Sequence, residues 1–453
     1  EISKKLYSGY EERLRRANLI DFDDMLVMCY DLFKERKDIL GAWQRKYQYI
    51  LVDEFQDINR VQYEIVRMLA APENNLFIVG DDDQSIYRFR GAKPEIMLGF
   101  EKDYPDAERV LLNINFRSTK DIVDTAGKLI AHNKTRFPKE IVTKQGRGKP
   151  VVTRVWKDPQ EETLEIVHEI TDYTGAGYAW SDIAVLYRTN LGPRLLIEKL
   201  MEYNIPFCMK DAVPNLYDHW IAKNIIAYLN AAAGDLSRAC ILSVINRPNR
   251  YISRDALELP VVSWEAVKSF YQDKGWMVER IEQLEYDLKF LRQLAPAAAV
   301  NYIRKAVGYD DYIREYAEYR RMKPEELFEV LDQLAESAAG FQTVEAWFAH
   351  MEEYARELKL QARSREKRTE GVSLMTMHSS KGLEYRIVYI LDANEGVTPH
   401  HKAVLDADME EERRMFYVAM TRAKERLHVN YVSERYSKKQ EVSRFVKEYL
   451  GRE

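Results

Sequence analysis

Tyr49-Ile50-Leu51-Val52-Asp53-Glu54 is a short apolar run that stops abruptly on two carboxylates. Such a run, too short for a helix and apolar throughout, is the pattern of a strand covered on both faces, as in a parallel sheet. Val61, Ile65 and Leu69 then recur at helical spacing, Leu76-Phe77-Ile78-Val79-Gly80 repeats the strand pattern, and Val110-Leu111-Leu112 reads as a third strand. Strand, helix, strand is the grammar of a doubly wound α/β domain, whose ligands sit at the carboxyl ends of the strands. Upstream, residues 3 to 36 read as amphipathic helices with a break near Asn18 and Asp21.

Downstream the same grammar recurs. Val151 to Val155 and Ile183 to Tyr187 read as strands, with helices over Glu161 to Thr171 and Arg194 to Tyr203. From about residue 220 the pattern turns helical, and Arg363-Ser364-Arg365-Glu366-Lys367-Arg368 closes that region as a basic linker. Strands resume at Val372 to Met377, Ile387 to Leu391 and Leu427 to Val432. A helical insertion inside a second α/β domain accounts for this order. No internal repeat or low-complexity segment interrupts it.

At ~150 residues per domain, 453 residues suggest about three domains. The chain carries 68 basic and 73 acidic side chains, a net charge of −5, which excludes a polybasic binder that relies on overall charge. A locally basic groove remains compatible with it. No apolar run reaches the ~18 residues needed to span a bilayer. The 3 cysteines, Cys29, Cys208 and Cys240, lie far apart without a CxxC, so a reducing cytoplasm is the expected setting.

Asp53 and Glu54 sit where one carboxylate can hold Mg²⁺ on nucleotide phosphates and its neighbour can polarise the attacking water. A polar turn after a strand has the same composition. The second strand ends in Gly80-Asp81-Asp82-Asp83-Gln84-Ser85-Ile86-Tyr87-Arg88-Phe89-Arg90-Gly91, in which Gln84 could detect a terminal phosphate. Tyr87 and Phe89 alternate with Arg88 and Arg90, offering faces for bases and charges for phosphates; a buried aromatic pair with solvated arginines would look alike. Arg117, in Asn115-Phe116-Arg117-Ser118-Thr119, and Arg422, in Tyr417 to Lys424, could each stabilise a transferring phosphoryl group, although single arginines are usually surface residues. Glu370 to Glu384 passes from a strand into Ser379-Ser380-Lys381-Gly382, a turn that lets backbone approach an anion.

Together these segments resemble the UvrD/Rep/PcrA-type superfamily 1 DNA helicases, in order over nearly the whole chain. Asn18 to Met25 is similar to the segment leading into the first core domain, and Val52 to Asp57 to the family's Walker B motif. Gly80 to Ala92 resembles motif III, Asn115 to Thr119 motif IV, Met375 to Glu384 motif V, and Glu410 to Ala423 motif VI. The resemblance implies an α/β fold of two RecA-like P-loop NTPase domains, the first truncated, with an all-helical insertion in the second. The implied boundaries are 1–112, 113–229, 230–366 and 367–453.

The resemblance also implies roles. Asp53 would hold Mg²⁺, Glu54 would act as the base, and Gln84 would sense the γ-phosphate of ATP. Phe116, where the family usually has Tyr, would stack on adenine, Glu384 would contact the ribose, and Arg117 and Arg422 would be arginine fingers. Tyr87, Phe89 (commonly Trp), Arg90 and His378 would line a single-stranded DNA path. The implied activity is ATP-dependent 3′→5′ movement and unwinding at junctions of single- and double-stranded DNA, with no membrane partner.

Two departures modify that expectation. No G-x-x-x-x-G-K-[ST] occurs; Gly127-Lys128-Leu129 and Arg147-Gly148-Lys149-Pro150 both fail it. A partial product lacking its phosphate cradle, with little ATP hydrolysis of its own, is therefore expected. The other readings are a nucleic-acid-binding module that never hydrolyses ATP, and the motor part of a helicase–nuclease. Secondly, many members carry a duplex-contacting Gly-Ile-Gly turn in the insertion. Asn246-Arg247-Pro248-Asn249-Arg250-Tyr251-Ile252-Ser253 stands there without glycine, so another turn geometry is expected.

Overall fold

The computed structural model describes residues 2–190, 192–364 and 370–451; most of the expected basic linker, Arg365 to Arg368, lies outside them. The chain divides into two units, one of Glu1–Arg188, Val372–Ser433 and Gln440–Glu453, the other of Thr189–Gly371 and Glu434–Lys439.

The first unit opens with helices Ile2–Ala17 and Phe22–Glu35. The break between them falls where expected: Asn18 takes a positive φ of 53° and Asp21 caps the second helix, accepting from the Asp24 N–H at 2.8 Å. Strands β1 (Ile50–Val52) and β2 (Leu76–Ile78) pair in parallel, Val52 opposite Ile78, across the helix Arg60–Ala70. One face packs Val52 and Ile78 against Phe55, Tyr63 and Ile96, while Leu51 and Phe77, on the other face by the alternation of a strand, are exposed.

The third strand expected at Val110-Leu111-Leu112 does not form. Val110 is 79% and Leu112 80% exposed, and the next strand, β3 (Ile114–Asn115), pairs with β4 (Val142–Thr143). Among the described residues no strand pairs with this triplet, and β1 and β2 pair only with each other.

The larger sheet of this unit contains β5 (Val152–Trp156) and β6 (Ile183–Tyr187), both near their expected limits. After β7 (Phe207–Met209), which belongs to the second unit, it resumes with β8 (Val372–Thr376), β9 (Tyr385–Ile390) and β10 (Ala423–Val432). Within the first unit the order is β5-β10-β9-β6-β8, with every pair parallel. Every residue of Ile183-Ala184-Val185-Leu186-Tyr187 is buried, because β6 is interior and covered on both faces. Ala184 and Leu186 pack with Val388, Ile390 and Val429 against helices Lys120–Ile130, Asp406–Met420 and Arg444–Leu450. Ile86, fully buried, enters this core from the loop after β2, so that loop is anchored in the larger sheet's packing.

The second unit is mainly helical, including Trp220–Ala233, Arg238–Val244, Gly275–Leu291, Pro324–Ala338 and Val344–Ser364. The helical pattern begins with Trp220, as the composition change near residue 220 indicated. The expected boundary at 230 cuts that first helix, and the unit itself begins at Thr189. Its loop Asn246–Ser253 holds a glycine-type bend without glycine: Tyr251 itself has a φ of 59°.

Candidate functional site

All the expected site residues lie in the first unit. Asp53 and Glu54 follow β1. Glu54 takes a left-handed backbone, φ 51°, and its N–H donates to Asp53 Oδ1 at 2.8 Å. That conformation is uncommon for a residue with a Cβ and turns the chain sharply at the strand end. Glu54 Oε2 accepts from Gln56 Nε2 at 2.6 Å and lies 3.2 Å from Lys381 Nζ. The buried Gln56 ties the ends of β1 and β2 together, its Oε1 accepting from the Asp81 N–H at 2.9 Å. A Cβ on Gly80 would meet that oxygen at 2.5 Å, so a side chain there would push the Gln56 amide out of place.

Lys381 was legible as part of an anion-compatible turn, but its placement was not. Its largely buried ammonium donates to Asp57 Oδ2 at 2.5 Å and to the Gln84 carbonyl at 2.9 Å, and lies 5.3 Å from the Tyr87 ring centre. Burial pushes the Asp57 carboxyl up against the pull of Lys381, and Asp57 Oδ1 is a buried oxygen with no hydrogen-bond partner among the described residues.

Gln84 does not face open space; its Nε2 donates to Asp81 Oδ2 at 2.7 Å. Asp81, Asp82 and Asp83 bring oxygens within 4.8 Å of one another, a spacing that could suit a metal. Lys139 Nζ takes the cation's place, 2.6 Å from Asp81, 2.5 Å from Asp82 and 3.1 Å from Asp83. Arg136 adds a bidentate pair to Asp83 at 2.9 and 2.6 Å. Burial pushes Asp81 up, but Lys139 and Gln84 outweigh it and hold it below its ordinary value. Burial and the neighbouring Asp83 leave Asp82 raised despite Lys139, and the three carboxylates keep Lys139 above the ordinary lysine value against its own burial. Neither Lys139 nor Arg136 was singled out from the sequence.

Removing one partner of a buried ion cluster strands the rest. Lys139→Met is expected to destabilise the first unit by about 3–5 kcal/mol, read as a lower urea midpoint. Adding Asp82→Asn to Lys139→Met is expected to recover part of that loss. A midpoint unchanged by Lys139→Met would show that the cluster is solvated.

Tyr87, Phe89, Arg90 and His378 come together. Phe89 meets Tyr87 edge-on at 6.1 Å and His378 at 5.5 Å, while the Arg90 guanidinium lies 5.2 Å from the Tyr87 ring centre and 5.4 Å from that of Phe89. Phe89 is 66% exposed, so this is a presented aromatic cluster and not a buried pair.

Phe116, Arg117 and Glu384 line an open cleft of about 610 Å³ with Gln145 and Lys424. Phe116 is exposed, with Lys144 Nζ 5.5 Å from its ring centre. Arg117 Nε donates to Glu384 Oε2 at 2.7 Å, and Lys424, one residue past the stretch resembling motif VI, holds Oε1 at 2.6 Å. Hydrogen bonds from Lys424 and Arg117 pull the Glu384 carboxyl down to about 2. Arg422 lies behind this cleft, buried. It donates to the Val418 carbonyl at 3.0 Å, the Leu383 carbonyl at 3.3 Å and Thr421 Oγ1 at 3.2 Å. Burial, with Arg117 nearby, lowers its pKa to about 10, so it stays cationic at neutral pH.

A nucleotide with its divalent cation fits these groups in part. The exposed Phe116 face suits a base and Glu384 a ribose hydroxyl. Asp53, exposed and in no ion pair among the described residues, leaves an oxygen for a hard cation.

Two family models match the chain, one after the other. Residues 110–434 match the UvrD-like helicase C-terminal domain, and residues 1–105 match the UvrD/REP helicase N-terminal domain. The chain is 35% identical to the putative ATP-dependent DNA helicase YjcD of Bacillus subtilis, over 98% of this chain and 59% of that protein. It is 34% identical to the ATP-dependent DNA helicase PcrA of Staphylococcus epidermidis, over 98% of this chain and 63% of that protein. Against PcrA of Staphylococcus aureus the identity is 34%, over 95% and 61%. The chain thus spans about three fifths of the length of these curated relatives. With both domain models matching in order and these identities running the length of the chain, it belongs to the UvrD-like helicase family.

Proposed function

We propose that this chain is the greater part of an ATP-dependent DNA helicase that moves 3′→5′ along one strand in the cytoplasm and unwinds duplex at junctions. In this reading the first unit contains parts of two RecA-like domains, the second unit is the helical insertion, and the boundaries near 112, 229 and 366 are approximate divisions of the same architecture. Bound ATP with Mg²⁺ would supply the free energy of phosphoanhydride hydrolysis. Asp53 would hold the cation, Glu54 would orient and deprotonate the attacking water, and Gln84 would respond to the terminal phosphate. Arg117 and Arg422 would offset charge on the transferring group, while Phe116 and Glu384 fix the base and ribose. The 453 residues contain no G-x-x-x-x-G-K-[ST], so hydrolysis is assigned to this chain together with a phosphate cradle. By itself the chain should turn over little ATP.

One observation carries the reading: the buried Lys381 ammonium is shared by both halves of the chemistry. It holds Glu54 and Asp57 on one side and lies against Tyr87, next to Phe89 and Arg90, on the other. A change in the charge near Glu54 would be felt by Lys381 and thereby at the aromatic cluster, which is the coupling a translocating motor needs.

Phe89→Ala is expected to weaken single-strand affinity by ~1–3 kcal/mol, as loss of one stacked base would. Fluorescence anisotropy of the full-length protein with a labelled oligothymidine checks it. Unchanged affinity would remove the cluster from the strand path and leave a protein whose DNA contacts lie elsewhere.

A further inference from the structure

Among the described residues, Tyr251 is the one aromatic with a left-handed backbone whose ring also lies against an arginine shared with a second aromatic side chain. A φ of 59° strains a residue with a Cβ, and it persists only where the surroundings over-determine it. They do so here. The buried Arg250 donates to the carbonyls of Val244 at 3.2 Å, Ile245 at 3.1 Å and Pro248 at 3.3 Å, and to the Tyr228 hydroxyl at 3.2 Å. Asn246 Oδ1 accepts the N–H groups of Arg250 at 3.2 Å and Ile252 at 3.0 Å, and Asn249 Oδ1 accepts that of Tyr251 at 3.0 Å.

The residues on both sides of Tyr251 are buried, yet its ring is 66% exposed. The fold thus holds a strained tyrosine and gains almost no burial from it. Among the described residues the ring's one partner is the Arg280 guanidinium, 5.6 Å from its centre; that guanidinium also lies 4.9 Å from the ring of Trp276, which is 52% exposed. Trp276 and Arg280 are a helical turn apart on Gly275–Leu291, so they share a face. Among the described residues Arg280 pairs with no carboxylate. Two exposed rings around an uncompensated guanidinium offer what a nucleobase and its phosphate require: an aromatic face, and a cation to meet the charge.

We propose that Tyr251, Trp276 and Arg280 form a second nucleobase-stacking site in the helical unit, taking an unpaired base of DNA and its phosphate. The site rests on the DNA-binding reading above and deepens it.

The test uses the full-length protein and a single-stranded oligonucleotide carrying 5-iododeoxyuridine, which cross-links on irradiation to aromatic side chains stacked on it. Cross-links to Tyr251 or Trp276 are expected in addition to any at Phe89. Tyr251→Gly relieves the backbone and removes the ring. It is expected to unfold at no lower temperature than the unsubstituted protein while binding the oligonucleotide roughly five-fold or more weakly, with Trp276→Ala and Arg280→Ala weakened in the same sense. Cross-links confined to the first unit, with Tyr251→Gly and Trp276→Ala binding normally while Phe89→Ala binds poorly, would overturn this site alone. Absence of any cross-link and any binding would overturn it together with the DNA reading. Loss of self-association in Trp276→Ala, with DNA binding intact, would assign the rings to a protein contact and overturn it as well.

Discussion

Glu54→Gln is expected to leave the full-length protein able to bind ATP and to lower its turnover by ~10²- to 10⁴-fold, the range for removing a general base. The substitution is nearly isosteric. In the structure Glu54 Oε2 accepts from Gln56 Nε2 and faces the Lys381 ammonium, and a glutamine carbonyl can accept from both. What the amide lacks is a basic oxygen for the water's proton, so chemistry is lost while the strand end stays in place. Phosphate release with saturating single-stranded DNA measures the loss, and binding of a fluorescent ATP analogue measures what is retained. The structure also names the residue to examine if turnover persists. Asp57 shares Lys381 with Glu54, its carboxyl is pushed up by burial, and one of its oxygens is unpartnered, as a proton acceptor's would be. Near-normal turnover in Glu54→Gln with a collapse in Asp57→Asn would move the base there.

The strands were legible because a covered parallel strand has no polar residue to hide: Ile183 to Tyr187 could hardly be anything else. Val110-Leu111-Leu112 shows the limit. A strand needs a ladder partner as well as an apolar composition, and composition cannot report whether a partner is present. The local half of the site was legible for the same reason that it is local. Tyr87, Phe89 and Arg90 alternate within four consecutive residues, and their cluster differs from a buried pair only in exposure. The ionic half was not legible. Lys139 and Asp81 are 58 positions apart, and Lys381 and Asp57 are 324 apart, so their pairing exists only once the chain has folded. Tyr251 was illegible for another reason. Intrinsic preference assigns left-handed backbone to glycine or asparagine, and here a buried arginine and two asparagines impose it on tyrosine. Arg422 and Arg117 looked equivalent in sequence, yet one is buried against backbone carbonyls and the other lines an open cleft.

That difference makes Arg117→Ala the cleaner test of the phosphoryl-transfer reading, with kcat expected to fall by ~10³-fold or more. Arg117 pairs with Glu384 at 2.7 Å, and both side chains are partly exposed, at 29% and 44%, so losing the pair should cost only ~0–1 kcal/mol of stability. Glu384 would still be held by Lys424 at 2.6 Å. A large kinetic loss with an unchanged melting temperature and unchanged oligonucleotide affinity would therefore belong to the transition state. Arg422→Ala cannot give so clean an answer, because it removes a buried guanidinium that donates to three oxygens and would lower stability and turnover together. Arg117→Lys should stay well below the unsubstituted rate, since an ammonium keeps the charge without the planar fork. A kcat for Arg117→Ala within about tenfold of the unsubstituted value would mean a contribution of less than about 1.4 kcal/mol to the barrier, too little for a finger. Arg117 would then be a clamp on Glu384. The two-cation arrangement around Glu384 favours the other outcome: with Lys424 in place, Arg117 can leave the carboxylate for a phosphoryl oxygen without stranding the charge it leaves behind.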